Sequence, residues 1–249
     1  EFDGKSASYA INNYEIDVNK LKEDVFNNKV DSLILINPNN PNGGFLNLKK
    51  LLTILDYSKN LDCVILDESF VHFAYENDQL ELPNYYKLIE HYPNLIIIKS
   101  MSKDFGIAGI RAGYGIMKEE RVSNLLNSGY LWNISGLAAY FFELYSSVEF
   151  REKYEIVRKK YIMNTLMFSS ELNNINGIKI YSSKANFFLV KVNEDNEGDF
   201  GIKLLVNHGV YIRNCSDKIG LEGSGYYRLA SRTFEENMNI IKAIKSELH

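Results

Sequence analysis

Three short apolar runs, each followed by a polar loop, constrain the fold of this chain more than any other feature of its sequence. They read SLILI at residues 32–36, CVIL at 63–66 and LIIIK at 95–99. Apolar runs of this length, bounded by turn residues, predict buried strands. Segments with helical spacing separate the runs, at 16–28 (with Asp17 as its N-cap) and at 48–60. Strands that alternate with helices predict an α/β domain with a mostly parallel sheet covered on both faces.

The rest of the chain predicts a second, smaller domain. A helical pattern extends over 134–170, longer than a typical globular helix, so we expect this region to connect two domains. We place a large domain at residues 1–145 and a small α+β domain at 146–249. The remaining predicted elements are helices at 83–91, 119–127, 200–208 and 234–248 and strands at 112–117, 178–181, 187–192, 210–213 and 226–230.

Composition excludes several classes of protein. With 45% hydrophobic residues and a net charge of −4, the chain has an ordinary globular balance and lacks the basic character of nucleic-acid-binding domains. No apolar run reaches membrane-spanning length, and the N-terminus does not resemble a signal peptide. Two cysteines without a spacing motif indicate free thiols and a cytoplasmic location. The four histidines share no ligand spacing, so we expect no metal site.

The segment SMSKDFGIAGIRAGYG at 100–115 carries the most informative chemistry of the chain. Lys103 follows a buried strand, and an amine held out of bulk water has a lowered pKa and readily forms a Schiff base. Ser100, Ser102 and Arg111 offer the hydroxyl and guanidinium donors that a phosphate needs. Pyridoxal phosphate requires both kinds of site at once. A lysine in an exposed surface loop is the alternative interpretation.

Two polar residues follow the other predicted strands. Asn40 lies in the loop after the first strand, and Asp67 ends the second. Ligands of open α/β sheets bind beyond the carboxyl ends of the strands, where Lys103 is also expected. An aspartate can pair with a pyridine nitrogen, and an asparagine amide can donate to the phenolate oxygen of the same ring. Each has a simpler alternative, Asn40 as a turn residue and Asp67 as a cap, but their joint placement favours the cofactor.

Taken in order, the motifs NPNNPNGG, ILDESF and SMSKDFGIAGIRAGYG resemble the fold-type I pyridoxal-phosphate enzymes of the class I/II aminotransferase group, and within it the histidinol-phosphate aminotransferase-like subgroup. The resemblance implies the large domain of a pyridoxal-phosphate-dependent transferase. In that fold, Lys103 would form the Schiff base, Asp67 would meet the pyridine nitrogen and Asn40 would contact the ring hydroxyl.

The same resemblance assigns the cofactor phosphate to Ser100, Ser102 and Arg111. It places Phe70 beside the cofactor, at a position where many relatives carry a tyrosine that bonds to the ring oxygen. It further implies a homodimer with its active sites at the subunit interface. The first recognisable element belongs to the middle of the family's large domain, so we expect this chain to be a C-terminal portion that lacks part of the phosphate site.

The C-terminal half offers candidate substrate-binding residues. Arg213 and Arg228 lie at or near short predicted strands, and two guanidinium groups suit a substrate with two anionic groups. Exposed arginines in surface salt bridges are the alternative. By the resemblance, Arg228 would bind the substrate α-carboxylate and Arg213 a distal phosphate, with Asn133 nearby. Arg232 is a further candidate for this anion pocket.

The sequence leaves two enzymes of the subgroup as candidates for the reaction that this protein catalyses. The patterns IRNCS and YYRLASRT, together with Trp132 and Asn133, resemble threonine-phosphate decarboxylase of cobalamin biosynthesis more than the aminotransferase. Histidinol-phosphate aminotransferase would use the same cofactor contacts, with Lys103 as the base that removes the α-proton. Which bond breaks depends on the orientation of the substrate, which residue spacing does not define. Two further interpretations are a non-catalytic relative and a nucleotide-binding α/β protein, although the chain lacks the ordered glycine fingerprint of the latter.

Overall fold

The structure, a computed structural model, describes residues 14–129, 134–193, 199–223 and 225–248. The chain forms two compact units. The large unit comprises Asp17–Asn39 and Phe45–Lys159. The C-terminal unit comprises the described residues of 160–248 together with Asn40–Gly44 and residues 14–16. No helix within the described ranges is long and apolar enough to cross a membrane.

A four-stranded sheet forms the centre of the large unit. Its strands are β1 (Ser32–Ile36), β2 (Cys63–Asp67), β3 (Leu95–Ser100) and β4 (Gly113–Ile116), in that spatial order. The first three run parallel, and β4 pairs antiparallel with β3. The predicted mostly parallel sheet is therefore confirmed.

Burial alternates along the strands because successive side chains point to opposite faces. In β3, Leu95 and Ile97 are fully buried, whereas Ile98 between Ile97 and Lys99 is exposed. Ile34 of β1 is 54% exposed. The prediction that both faces are covered is thus wrong for the described chain, in which one face of the sheet is buried and the other is partly open.

The helices of the large unit begin at the residues that their caps indicate. Asp17 accepts hydrogen bonds from the backbone N–H groups of Asn19 and Lys20, which confirms it as the N-cap of the first helix. The predicted helix at 83–91 is shorter, because a turn that includes the hydrogen bond from Leu88 N to Tyr85 O precedes it. The helices are α1 (Val18–Asn27), α2 (Leu48–Tyr57), α3 (Leu88–His91), α4 (Glu119–Asn127) and α5 (Gly136–Ser146).

The long helical region is two helices, not one. α5 ends at Ser146, and α6 runs from Val148 to Asn173. Ser147 between them has extended backbone dihedrals, and its hydroxyl accepts a hydrogen bond from Phe150 N at 3.2 Å. A serine in this position caps the helix that follows, so it starts α6. The two compact units divide within α6, after Lys159, rather than at the boundary predicted between 145 and 146.

The C-terminal unit is an antiparallel sheet with helices. Its strands are β5 (Ile178–Ile180), β6 (Phe187–Val192), β7 (Arg213–Asn214) and β8 (Tyr226–Ala230), in the spatial order β5-β6-β8-β7. Its further helices are α7 (Phe200–His208) and α8 (Phe234–Glu247), and a capping box of Thr233 and Glu236 starts α8. The core contains Phe168, Leu172, Phe188, Leu204 and Ile244. The predicted small α+β unit is present.

Candidate active site

The first asparagine of NPNNPNGG closes its own loop. Asn37 is fully buried, and its amide donates to Leu46 O at 3.0 Å and accepts from Leu46 N at 2.7 Å. These two bonds satisfy both ends of the amide, so Asn37 fixes the loop that follows β1. Its role is structural.

Asn40 belongs to the C-terminal unit, where Arg228 holds it. Arg228 Nη1 donates to Asn40 Oδ1 at 2.8 Å. The loop is anchored nearby by the bond from Lys184 N to Gly43 O. Gly43 has φ +71°, and a Cβ there would lie 1.8 Å from the hydroxyl oxygen of Ser183, so no other residue fits. The structure therefore joins Asn40, expected at the cofactor, to Arg228, expected at the substrate.

Asp67 lies at the carboxyl end of β2 and caps the turn that follows. Its Oδ1 accepts a hydrogen bond from Ser69 N at 2.8 Å. The next residue ties this turn to β3 through the bond from Glu68 N to Ile98 O. The capping role that the sequence left open is thus present, and it uses one of the two carboxylate oxygens.

A cavity of about 360 Å³ lies beside β3 and β4 in the large unit. Hydroxyl groups and one guanidinium dominate its polar lining, and this donor set suits a phosphate. Gly113 is required here, because a Cβ would lie 2.7 Å from Lys99 O. The residues that line the cavity are Ser69, Ile98, Lys99, Ser100, Ser102, Arg111, Ala112, Gly113 and Tyr114.

The predicted phosphate residues Ser100, Ser102 and Arg111 are brought together at this cavity. Ser100 Oγ accepts from Ser102 N at 3.3 Å, which orders the turn between them. Arg111 has φ +54°, and its Nη1 donates to Ala108 O at 2.9 Å. The left-handed conformation costs a residue with a side chain about 1–2 kcal/mol, and such strain is concentrated at functional sites. Sequence reasoning missed Ser69, although its place two residues after Asp67 was a usable signal.

The two lysines of this region have opposite environments. Lys103 is exposed, and its amine lies 5.9 Å from the centroid of the Phe70 ring. The expectation that Lys103 is held out of water is therefore wrong for the described chain. Lys99 is the buried lysine: its Nζ contacts Asp104 Oδ2 closely and donates to Ser69 O at 3.2 Å. Burial lowers the pKa of Lys99, and the Asp104 carboxylate partly offsets this. Lys99 is thus bonded on two sides, whereas the Lys103 amine is open to solvent.

A buried polar cluster surrounds Asp104. His72 Nδ1 lies 3.6 Å from Asp104 Oδ2 and 2.7 Å from the hydroxyl of Tyr154. Burial lowers the pKa of His72 to about 3, with the charges of Lys99 and Arg158 adding to the effect, so the imidazole is neutral. Burial also raises the pKa of Asp104 to about 6, against the opposing effect of Lys99. Nothing in the sequence pattern indicated this cluster.

The two candidate substrate arginines face each other. Arg213 of β7 and Arg228 of β8 are directly paired in the antiparallel register. Like charges in this position are unfavourable unless an anion lies between them. Arg228 is half-buried against the Phe187 ring, 5.0 Å from its centroid, and this burial and the charge of Arg213 lower its pKa. The pair therefore concentrates positive charge on one face of the C-terminal sheet.

Two other residues, Arg232 and Asn133, are predicted to lie near the substrate with Arg213 and Arg228. Arg232 is exposed and pairs with Glu236 Oε1 of α8 at 3.1 Å, which accounts for its position at the start of that helix. Asn133 lies outside the described residues. Within the described ranges, no group of three or more histidine, cysteine, aspartate or glutamate side chains is arranged to hold a metal ion.

Comparison with known proteins identifies the family. The model of the family described as aminotransferase class I and II matches residues 4–244. The chain belongs to the class I and II aminotransferases. The resemblance drawn from the three ordered motifs is therefore confirmed, and with it the fold class of pyridoxal-phosphate-dependent transferases.

Relatives within the class I and II aminotransferases include decarboxylases as well as aminotransferases. The chain is 48% identical over 233 residues to the L-serine phosphate decarboxylase of Campylobacter jejuni, which covers 93% of this chain and 60% of that protein. It is 34% identical to the histidinol-phosphate aminotransferase of Caldanaerobacter subterraneus, over 94% of this chain and 62% of that protein. A solved decarboxylase from Sulfurospirillum multivorans matches with a TM-score of 0.91 and 42% identity, over 95% of this chain and 67% of that chain. The chain spans about three fifths of the length of the curated relatives.

Proposed function

We propose that the protein to which this chain belongs is a pyridoxal-phosphate-dependent decarboxylase of a short phosphorylated amino acid. L-serine phosphate is the first candidate substrate and threonine phosphate the second. The observation that carries the proposal is the direct pairing of Arg213 with Arg228, a cationic site that suits a substrate with both a carboxylate and a phosphate. The 48% identity to an L-serine phosphate decarboxylase supports decarboxylation and favours serine phosphate.

The residues of the large unit fit the cofactor. Ser69, Ser100, Ser102 and Arg111 line the cavity and would bind its phosphate. Asp67, at the end of β2, would pair with the pyridine nitrogen through the carboxylate oxygen that is not committed to Ser69 N. When bound, pyridoxal phosphate supplies an electron sink that stabilises the carbanion left by the loss of carbon dioxide.

Lys103 and Phe70 would act next to the cofactor ring. The exposed Lys103 amine would attach the cofactor to the protein and move a proton to or from the α-carbon. The Phe70 ring lies 5.9 Å from that amine, and as a hydrocarbon ring it would offer no hydrogen bond to the ring oxygen of the cofactor.

The residues of the C-terminal unit would orient the substrate. Arg228 and Arg213 present guanidinium donors from adjacent strands, and an anion bound there would relieve the repulsion between them. Arg228 also donates to Asn40 Oδ1 at 2.8 Å, and this hydrogen bond would fix the orientation of the guanidinium towards the substrate. A fixed anion site of this kind would set the orientation of the substrate, and that orientation decides between the loss of carbon dioxide and the loss of the α-proton.

The test measures carbon dioxide from the complete protein, loaded with pyridoxal phosphate and supplied with L-serine phosphate or threonine phosphate. We expect release without any 2-oxoacid, and faster turnover of L-serine phosphate. L-serine is the control: it lacks the phosphate, so we expect its kcat/KM to be at least about 100-fold lower, the loss of charged hydrogen bonds of roughly 1.5–3 kcal/mol each. Equal rates with L-serine would contradict the anion site.

The second candidate is an aminotransferase acting on histidinol phosphate, favoured by the 34% identity to a histidinol-phosphate aminotransferase. It differs from the decarboxylase in requiring an amino acceptor. Product that forms only when 2-oxoglutarate is present, with no carbon dioxide from the amino donor, would establish it. Absence of turnover with every one of these substrates would indicate a non-catalytic relative.

We also propose a homodimer in the cytoplasm. The large unit exposes large apolar side chains on α5 and α6, among them Leu137 at 72% and Ile156 at 71% exposure. A second copy would remove such side chains from water. Light scattering should give twice the mass of the complete chain, and a monomer at high concentration would contradict the proposal.

A further inference from the structure

Lys99 connects three parts of the large unit, one of which is the loop that carries Lys103. Its ammonium closely contacts Asp104 Oδ2, and it donates to Ser69 O at 3.2 Å. The side chains of Lys99 and Asp104 are 1% and 0% exposed. Lys99 belongs to β3, Asp104 directly follows Lys103, and Ser69 belongs to the turn capped by Asp67. One ammonium therefore binds the loop of Lys103 to the turn of Asp67.

The ion pair also closes the loop that carries the candidate phosphate and amine groups. Residues 100–103, which include Ser100, Ser102 and Lys103, lie between its two members in the chain. On the far side of Asp104, Phe105 packs against Tyr154 at 4.4 Å between ring centroids. The loop is therefore held at both ends, by the ion pair and by an aromatic contact.

Asp104 depends on Lys99 for its charge and its orientation. Its Oδ1 is buried and has no hydrogen-bond partner among the described residues. The neighbouring His72 is 3.6 Å away, is neutral, and is engaged with the hydroxyl of Tyr154. A buried carboxylate without a counter-ion is strongly destabilised, so loss of Lys99 would change the protonation and the position of Asp104.

We propose that Lys99 and Asp104 are positioning residues, whose buried ion pair fixes the direction of Lys103 relative to Asp67. This proposal rests on the proposed function, in which Lys103 and Asp67 act on the same cofactor. Neither Lys99 nor Asp104 acts on the substrate itself. A displacement of about 1 Å at a catalytic group can reduce a rate about 100-fold, so the pair has a direct consequence for activity.

The test uses the complete protein with pyridoxal phosphate and a pair of variants. Lys99→Met leaves Asp104 buried and unpaired, so part of its effect would be unfolding. The double variant Lys99→Met/Asp104→Leu removes both charges, and an apolar pair of similar volume maintains folding. We expect the double variant to melt within a few degrees of the wild type, to bind the cofactor about tenfold more weakly or worse, and to lose most of the visible circular dichroism of the bound cofactor.

Two further variants separate positioning from general effects. Lys99→Arg keeps the positive charge, so it should retain most of the visible circular dichroism of the bound cofactor. Lys59→Met removes an exposed ion pair with Asp56 and should change neither cofactor binding nor its spectrum. A folded double variant with the cofactor affinity and the visible circular dichroism of the wild type would overturn the proposal. If the wild type itself does not bind the cofactor or release carbon dioxide, the proposed function is wrong. This outcome differs from the one that overturns the positioning role, in which only the double variant is informative.

Discussion

Replacement of Arg228 by alanine is the most direct test of the anion site. Arg228 donates to Asn40 Oδ1 at 2.8 Å, packs on the Phe187 ring and lies opposite Arg213. The alanine variant removes one cation of the pair and also frees Asn40. Arg213 is exposed on the edge strand of the sheet, so in the proposed site it would bind the anion alone.

The size of the effect follows from the contact that is lost. A hydrogen bond to a charged group contributes about 1.5–3 kcal/mol, and about 1.4 kcal/mol corresponds to a tenfold change in rate. We therefore expect kcat/KM for L-serine phosphate to fall about 10- to 150-fold in Arg228→Ala, measured by carbon dioxide release. Arg228→Lys keeps the charge but loses the planar fork, so its kcat/KM should fall less than that of Arg228→Ala.

The double variant Arg213→Ala/Arg228→Ala tests whether the two arginines share one anion. Groups that bind the same ligand are not additive, so the double variant should lose less than the sum of the two single losses. Arg232→Ala is the matched control, because Arg232 pairs with Glu236 on the surface of the same unit, and its kcat/KM should change less than about twofold. A change below about threefold in Arg228→Ala would remove Arg228 from the site.

Three further predictions concern other parts of the chain. Lys103→Ala should abolish the cofactor label that borohydride fixes to the protein, and a label that persists on Lys99 in the mapped peptides would refute our choice of lysine. Burial raises the pKa of Glu68 to about 7, so the folded protein keeps a proton that the unfolded chain releases near pH 4.3. Retention of this proton stabilises the folded state fully at low pH, and the contribution is lost as the pH rises through 7. The free energy of unfolding of Glu68→Gln, measured by urea denaturation, should therefore increase by about 2–3 kcal/mol relative to that of the wild type between pH 5 and pH 8. A constant difference across this range would refute the shift. Gly43→Ala should destabilise the protein by about 2 kcal/mol or more in urea denaturation, because the left-handed φ is combined with a clash on Ser183. Gly209→Ala, with φ +66° and open space, should cost only about 1 kcal/mol in the same experiment. Equal losses in the two variants would show that the clash is relieved.

Local patterns in the sequence were sufficient for most of the elements. The predicted bounds of β1, β6, β8, α4 and α7 are those of the structure. Asp17 caps α1 as expected, because a cap depends only on residues two or three positions away. The ordered motifs also identified the family, since each motif is a short segment whose residues are consecutive.

Other elements depended on contacts that no local pattern contains. Ser147 interrupts a region with continuous helical spacing. The strand predicted at 210–213 is replaced by the two-residue β7, Arg213–Asn214. The sequence predicts that the strand at 32–36 is buried on both faces, yet Ile34 on the open face of the sheet is 54% exposed. Apolar residues show that a strand can be buried, and only the packing of other elements decides whether it is.

For the candidate site as well, some features follow from the sequence and others only from the tertiary structure. The sequence by itself determined the residue types: a lysine, an aspartate, serines and arginines suited to a phosphate-bearing cofactor and an anionic substrate. Only the tertiary structure decided that Lys99, not Lys103, is the buried lysine, and that Asn40 is bound to Arg228, 188 residues further along the chain. The reason is physical, because burial and strand register arise from contacts between distant segments, whereas the sequence pattern reports only on neighbours.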